Sequence, residues 1–190
     1  MVPMSRLARA FSLAFCLVAL LPAARAGAQA VPESDRIPVD VRRTTLIVRN
    51  MDRSLAFWRD ALGLKVVYDR MLFQPPNETR LVLLRANDEF VGLIGLMERQ
   101  ATKATAPPVT YERASYGNVI FVINAKDQEQ RLDKVRQVPG VKLQGEPQRI
   151  EYPSPDGKGT IPVMVTYLWD PDGYFVELNK ILGTPAGKTP

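Results

Sequence analysis

An α+β architecture of two tandem βαβββ modules, forming a curved eight-stranded sheet around a central cavity, is predicted by three features of the sequence. First, a strand, a capped helix, a glycine stop and further strands follow one another twice. Second, the two runs align residue by residue: a shift of 75 pairs Leu46 with Phe121, Val48 with Ile123 and Asp52 with Asp127, and a shift of 77 pairs Gly63 with Gly140 and Lys65 with Lys142. A long period present only twice indicates a duplicated half-domain rather than a solenoid. Third, 190 residues with 46% hydrophobic and 24% charged content fit one ordinary globular domain.

Residues 1–30 have the outline of a secretory signal peptide. Arg6 and Arg9 precede the apolar run 11–21, and small residues follow, with Ala28-Gln29-Ala30 as the favoured cleavage site and Ala24-Arg25-Ala26 as a second one. Eleven residues are too few for a membrane anchor, which needs about 20. The mature protein is therefore expected to be periplasmic or secreted, with no membrane association after cleavage. Cys16, the single cysteine, lies inside the run, preceded by Phe15 rather than by the small residue a lipidation site requires. A mature chain without it has no disulfide, no thiolate ligand and no cysteine nucleophile. Removing Arg6, Arg9 and Arg25 leaves 22 basic against 20 acidic residues, a net charge of +2. No basic run for a nucleic-acid partner remains.

After a proline-containing lead-in, 31–41, the domain is expected over 42–181, with modules 42–97 and 115–181, a connector at 98–114 and a tail at 182–190. In the first module, 43–49 reads as a strand. Asp52 is the expected N-cap of a helix over 53–62, in which Leu55, Trp58 and Leu62 recur at helical spacing, and Gly63 stops it. Strands follow at 64–68, 79–85 and 90–97, separated by the turns at Pro75-Pro76-Asn77 and Ala86-Asn87-Asp88. The second module reads as a strand at 118–123, a helix at 127–138 with Leu132 and Val135 buried, and strands from Val141, over 161–169 and over 174–179.

The last two strands flank Asp170-Pro171-Asp172-Gly173, whose residue types suit a type I turn, so they form a hairpin. Alternation places Glu177 on one face with Phe175 and Asn179, while Tyr174, Val176 and Leu178 face a helix. A carboxylate in so apolar a strand is either solvated on an open face or a deliberate group in a cavity.

Three segments carry a family resemblance: Val48-Arg-Asn-Met-Asp-Arg-Ser-Leu-Ala-Phe-Trp58 with Leu62-Gly-Leu64, Gly117-Asn-Val-Ile-Phe121, and Asp170-Pro-Asp-Gly-Tyr-Phe-Val-Glu-Leu178. Together they resemble the vicinal oxygen chelate (VOC) superfamily, which includes glyoxalases, bleomycin- and fosfomycin-resistance proteins and extradiol dioxygenases. The resemblance implies a metal site with ligands at Arg43, Asn118, Glu177 and a position near Gly95. Only Glu177 is a ligand type there, the chain has no histidine, and arginine has no acceptor atom. No metal and no cofactor are therefore expected.

Carried onto the strands, the resemblance places Arg43, Thr45, Asn118, Ile120, Tyr167, Trp169, Phe175 and Glu177 as ligand-binding residues of a small-molecule pocket. Arg43 and Glu177 are the catalytic candidates, Arg43 as electrostatic stabiliser and Glu177 as general acid or base of a lyase, isomerase or cyclase. A plainer alternative makes Arg43 and Glu177 an ion pair filling a former metal site. The aromatics Tyr111, Tyr116, Tyr152, Tyr167 and Trp169 either line a pocket for a flat ligand or pack the sheet. The family also permits the sheet to be completed within one chain or across a homodimer. Metal-dependent glyoxalase or dioxygenase chemistry has the least support.

Overall fold

The computed structural model describes residues 32–154, 157 and 159–183. The expected signal peptide, both cleavage sites, Cys16 and most of the tail lie outside the described residues. A short 3-10 turn occupies Glu33–Asp35, and a compact unit begins at Ile37.

The first module comprises β1 (Arg43–Ile47), α1 (Met51–Leu55), β2 (Lys65–Leu72), β3 (Thr79–Arg85) and β4 (Leu93–Arg99). Its sheet has the order β1-β4-β3-β2, with β1 parallel to β4 and the other pairs antiparallel. α1 runs directly into a π-helical segment, Ala56–Ala61, which buries Phe57, Trp58 and Ala61. The N-cap is Asn50, not the expected Asp52: Asn50 is extended and its side chain accepts a hydrogen bond from Arg53 N–H. Asp52 sits one residue inside the helix with its carboxylate 3.6 Å from Arg80 Nη1. The cap thus lies two residues before the expected one, and Met51, the first residue of the helix, is buried in the core.

The second module comprises β5 (Ile120–Asn124), α2 (Gln128–Val135), β6 (Lys142–Leu143), β7 (Gln148–Pro153), β8 (Thr160–Trp169) and β9 (Phe175–Ile181). The order is β5-β9-β8-β6, with β7 also on β8. β6 and β7 replace the single strand expected from Val141, so nine strands are present among the described residues. Gly145 and Pro147 lie in the break, and proline has no N–H for a ladder. The α+β class and the two modules stand. The eight-stranded sheet does not, because four and five strands form two separate open sheets whose edge strands β1 and β5 are not paired to each other.

One core serves both modules. The faces of the two sheets that carry Leu46, Val82, Leu84 and Leu96 on one side and Phe121, Leu168, Val176 and Leu178 on the other enclose the helices with Trp58 and Leu132. Trp58 meets Phe121 edge to face, ring centroids 5.5 Å apart, across the module boundary. The opposite, outer face of the first sheet carries a second, smaller apolar cluster of Leu81, Leu83 and Leu93.

The turn between β8 and β9 locks the modules together. Gly173 N–H donates to the Asp170 carbonyl, as a tight turn requires. Asp170 Oδ1 accepts from the N–H groups of Asp172 and Tyr174, and Oδ2 from the Trp58 indole at 3.0 Å. Asp172 Oδ1 accepts from Arg49 N–H and Arg49 Nη1, and Oδ2 from Ser54 Oγ at 2.7 Å. Tyr174 Oη bonds both polar backbone groups of Ile47. Three alternate polar side chains of the hairpin, Asp170, Asp172 and Tyr174, thus satisfy groups on β1, at Arg49, on α1 and at Trp58 in the helical segment that follows it.

Candidate functional site

The sheet registers decide which candidate residues meet. In the second sheet Val122 stands opposite Glu177 and Glu177 opposite Tyr167, while Ile120 stands opposite Phe175 and Phe175 opposite Trp169. Alternation puts all six on the outer face, since their neighbours Phe121, Val176 and Leu168 are buried in the core. Ile120, Tyr167, Trp169, Phe175 and Glu177 of the predicted set are therefore brought together. Tyr167 stacks on Phe175 with centroids 5.9 Å apart and planes at 13°, and Trp169 meets Phe175 at 5.5 Å. Trp169 is only 8% exposed, and its indole donates to the Glu112 carbonyl, so it supports the face from beneath the connector.

This face is apolar and open. Ile120 is 44% and Val122 61% exposed. Glu177 Oε1 accepts from Asn179 Nδ2 at 2.7 Å and, more distantly, from Tyr152 Oη at 3.4 Å. Oε2 accepts no hydrogen bond among the described residues. Burial, the hydrogen bond to Tyr167 and the nearby Glu177 charge push the Tyr152 phenol up to about 12. Tyr152 therefore remains a protonated donor at any ordinary working pH, and the hydroxyl helps fix the orientation of Glu177.

The remaining candidates lie elsewhere. Arg43 and Thr45 are on the outer side of β1 in the first sheet, and no hydrogen bond or ion pair joins Arg43 to Glu177 among the described residues. Thr45, Asn118 and Phe175 line a cavity of about 400 Å3 that also touches the edge strands β1 and β5. Glu177 lies outside it. Asn118 precedes β5, and its amide donates weakly to Ser115 Oγ at 3.4 Å. Because Glu177 is registered with Val122, four residues farther on, Asn118 and Glu177 are separated by up to about 13 Å along the strand. Gly95 has no side chain to offer, and a Cβ there would come within 2.8 Å of Thr45 Oγ1. Among the described residues no group of three or more His, Cys, Asp or Glu side chains could hold a metal ion.

Sequence reasoning named Asn179 only as a neighbour of Glu177 and Tyr152 only as one aromatic among several. The role of Tyr152 as a partner of the carboxylate comes from β7 pairing with β8, Tyr152 opposite Ile161, whereas Asn179 stands on the same strand as Glu177. The signal for Asn179 was its place two residues beyond Glu177; Tyr152 had no comparable local signal.

Comparison with known proteins agrees with this architecture. A family model described as the Glyoxalase/Bleomycin resistance protein/Dioxygenase superfamily matches residues 41–178. A glyoxalase family protein from Bacillus cereus has a similar structure, with a TM-score of 0.61 and 13% identity over 80% of this chain and 100% of its own. A variant of glyoxalase I from Zea mays gives a TM-score of 0.51 and 20% identity over 73% of this chain and 46% of its own. A glyoxalase/bleomycin resistance protein/dioxygenase family enzyme from Burkholderia phytofirmans gives 0.50 and 14% over 76% and 100%. These identities speak for the fold alone. A search of curated protein sequences gives no match.

Proposed function

The chain belongs to the glyoxalase/bleomycin resistance protein/dioxygenase superfamily, and from that premise we propose that it is an exported protein that binds a small organic molecule without a metal ion. The observation that carries this reading is the Glu177 carboxylate, oriented by Asn179 and Tyr152, with Oε2 free amid the exposed side chains of Ile120 and Val122 and beside the Tyr167–Phe175 stack. Such a face favours a flat, largely apolar ligand that brings one hydrogen-bond donor or a positive charge to Oε2.

The donor set supports the metal-free part. Of the four positions where the fold family's metal ligands are expected, Arg43 repels a cation, Gly95 offers no side chain and Asn118 is a weak amide donor set back along the strand from Glu177. One carboxylate does not fit a transition metal, which prefers imidazole or thiolate, or a hard cation, which prefers several oxygens. We read the site as a degenerate one. Export rests on the composition of residues 1–30.

A second reading, a metal-independent lyase or isomerase with Glu177 as general base, draws on the same free oxygen. It needs an electrostatic stabiliser other than Arg43 within one chain, since Arg43 stands on the other sheet. Equilibrium binding of flat aromatic amines, with recovery of the ligand afterwards, separates the two. The binding reading predicts unchanged ligand and an affinity that falls roughly 10- to 100-fold in Glu177→Gln, as loss of a charge-assisted hydrogen bond would give. Conversion of the ligand by the wild type, abolished in Glu177→Gln, would favour the enzyme. Equal affinity in both proteins would remove Glu177 from the site.

A further inference from the structure

A cavity of about 420 Å3, distinct from the face bearing Glu177, is walled by the end of β1, the end of β4, the connector and the β8–β9 turn. Four charged side chains line it: Arg49, Arg99, Lys103 and Asp172. Three of them are committed. Arg49 is held by Asp172 and by the carbonyls of Pro107 and Pro108. Lys103 Nζ is 2.5 Å from Glu98 Oε1, a buried carboxylate outside the lining. Arg99 is exposed and makes no side-chain hydrogen bond or ion pair among the described residues. The lining charges sum to a net positive, and the uncommitted one is a single guanidinium. Beside it stand the hydroxyl-bearing Thr102 and the apolar surfaces of Ile47, Val48 and Pro107.

We propose that this cavity binds small organic carboxylates, with the Arg99 guanidinium clamping the carboxylate, Thr102 as a further donor, and the apolar body of the ligand lying against Ile47, Val48 and Pro107. One planar fork of donors matches a carboxylate in a two-point arrangement. A phosphate dianion would call for more than one free cation. The volume lies within the range of small-molecule sites. Because the walls come from both modules and the connector, an occupant touches β1, the connector and the β8–β9 turn at once, and binding stabilises their association. The site is independent of the role given to Glu177, and it selects the opposite ligand charge.

The test uses the full chain with benzoate as probe, and benzamide and benzamidine as its neutral and cationic counterparts. Titration calorimetry and thermal melting are expected to show benzoate binding with a rise in Tm, benzamide at least tenfold weaker, and no benzamidine binding that depends on Arg99. Arg99→Gln, a surface change that leaves the melting temperature of the free protein near the wild-type value, should weaken benzoate at least tenfold. Glu177→Gln should leave benzoate affinity unchanged. Undetectable benzoate binding, unchanged affinity in Arg99→Gln, or loss of affinity in Glu177→Gln would each overturn the proposal.

Discussion

Replacing Asp172 by alanine should destabilise the protein by about 3–5 kcal/mol, the cost of leaving the partners of a buried carboxylate unpaired. The Asp172 side chain is 0% exposed, and its two oxygens satisfy one backbone N–H, a serine hydroxyl and one arm of Arg49. Alanine removes the acceptors and leaves the donors in place. Arg49 keeps the Pro107 and Asp172 carbonyls, so its guanidinium is not stranded. Arg49 N–H loses its acceptor, and Ser54 Oγ, wholly buried, is left with the Asn50 carbonyl alone. At roughly 2–4 °C per kcal/mol for a domain of this size, a drop in Tm of roughly 6–20 °C is expected in a thermal melt. Asp172→Asn, which keeps one acceptor and lets the Ser54 hydroxyl rotate, should lose less. A loss below about 1 kcal/mol in the alanine variant would mean that the modules are held by the apolar core without this turn.

Stability should rise as pH falls from about 7 toward 4, and Asp170 is the cause. Asp170 is 0% exposed, and burial pushes its carboxyl up to about 6, against the pull of the Tyr174 N–H and the Trp58 indole. Between its ordinary value near 4 and about 6 the folded protein holds a proton that the unfolded chain has released. Unfolding is then penalised more at lower pH, with a contribution on the order of 2–3 kcal/mol fully gained near pH 4 and absent above the folded value. Carboxylates held low by their partners act in the opposite sense. Asp69, paired with Arg80, and Glu129, bonded to Lys180, stabilise the fold above their unfolded values and lose that contribution as the pH drops below about 4. A stability maximum near pH 4–5 follows. Urea titrations between pH 4 and pH 7 should show the slope in the wild type and a flattened profile in Asp170→Asn. A wild-type profile flat over that range would show that Asp170 is ionised in the fold at little cost.

Both aspartates were legible as turn residues and illegible as bolts between modules. The turn reading explained Asp170 and Asp172 locally, and their partners Trp58 and Ser54 lie 112 and 118 positions away. Nothing in a period of 2 or 3.6 records which distant element a turn will meet. The modules themselves were legible because their signals are local and repeated: Gly63 and Gly140 both adopt a positive φ, Gly63 directly after the first helical stretch and Gly140 in the turn beyond α2, which ends at Val135 rather than at the expected residue 138, and Trp58, Leu62, Leu132 and Val135 face the core as their spacing requires. The break between β6 and β7 was written in Gly145 and Pro147 but masked by the expectation of equal modules.

The site was half legible for a related reason. Alternation along one strand placed Phe175 and Glu177 on a common face, and the register of β5, β8 and β9 brought Ile120, Tyr167 and Trp169 beside them. The expected meeting of Arg43 with Glu177 depended on how the edges of two sheets are disposed. That is a property of the shared core, in which Trp58 and Phe121 pack the modules through their helix-facing sides.

The central claim, a small-molecule site built on Glu177 without a metal, is tested most directly by measuring ligand affinity before and after exhaustive chelation, with elemental analysis of the same protein. The account predicts no stoichiometric transition metal and an affinity that chelation leaves unchanged but Glu177→Gln reduces. A stoichiometric metal whose removal abolishes binding would contradict it.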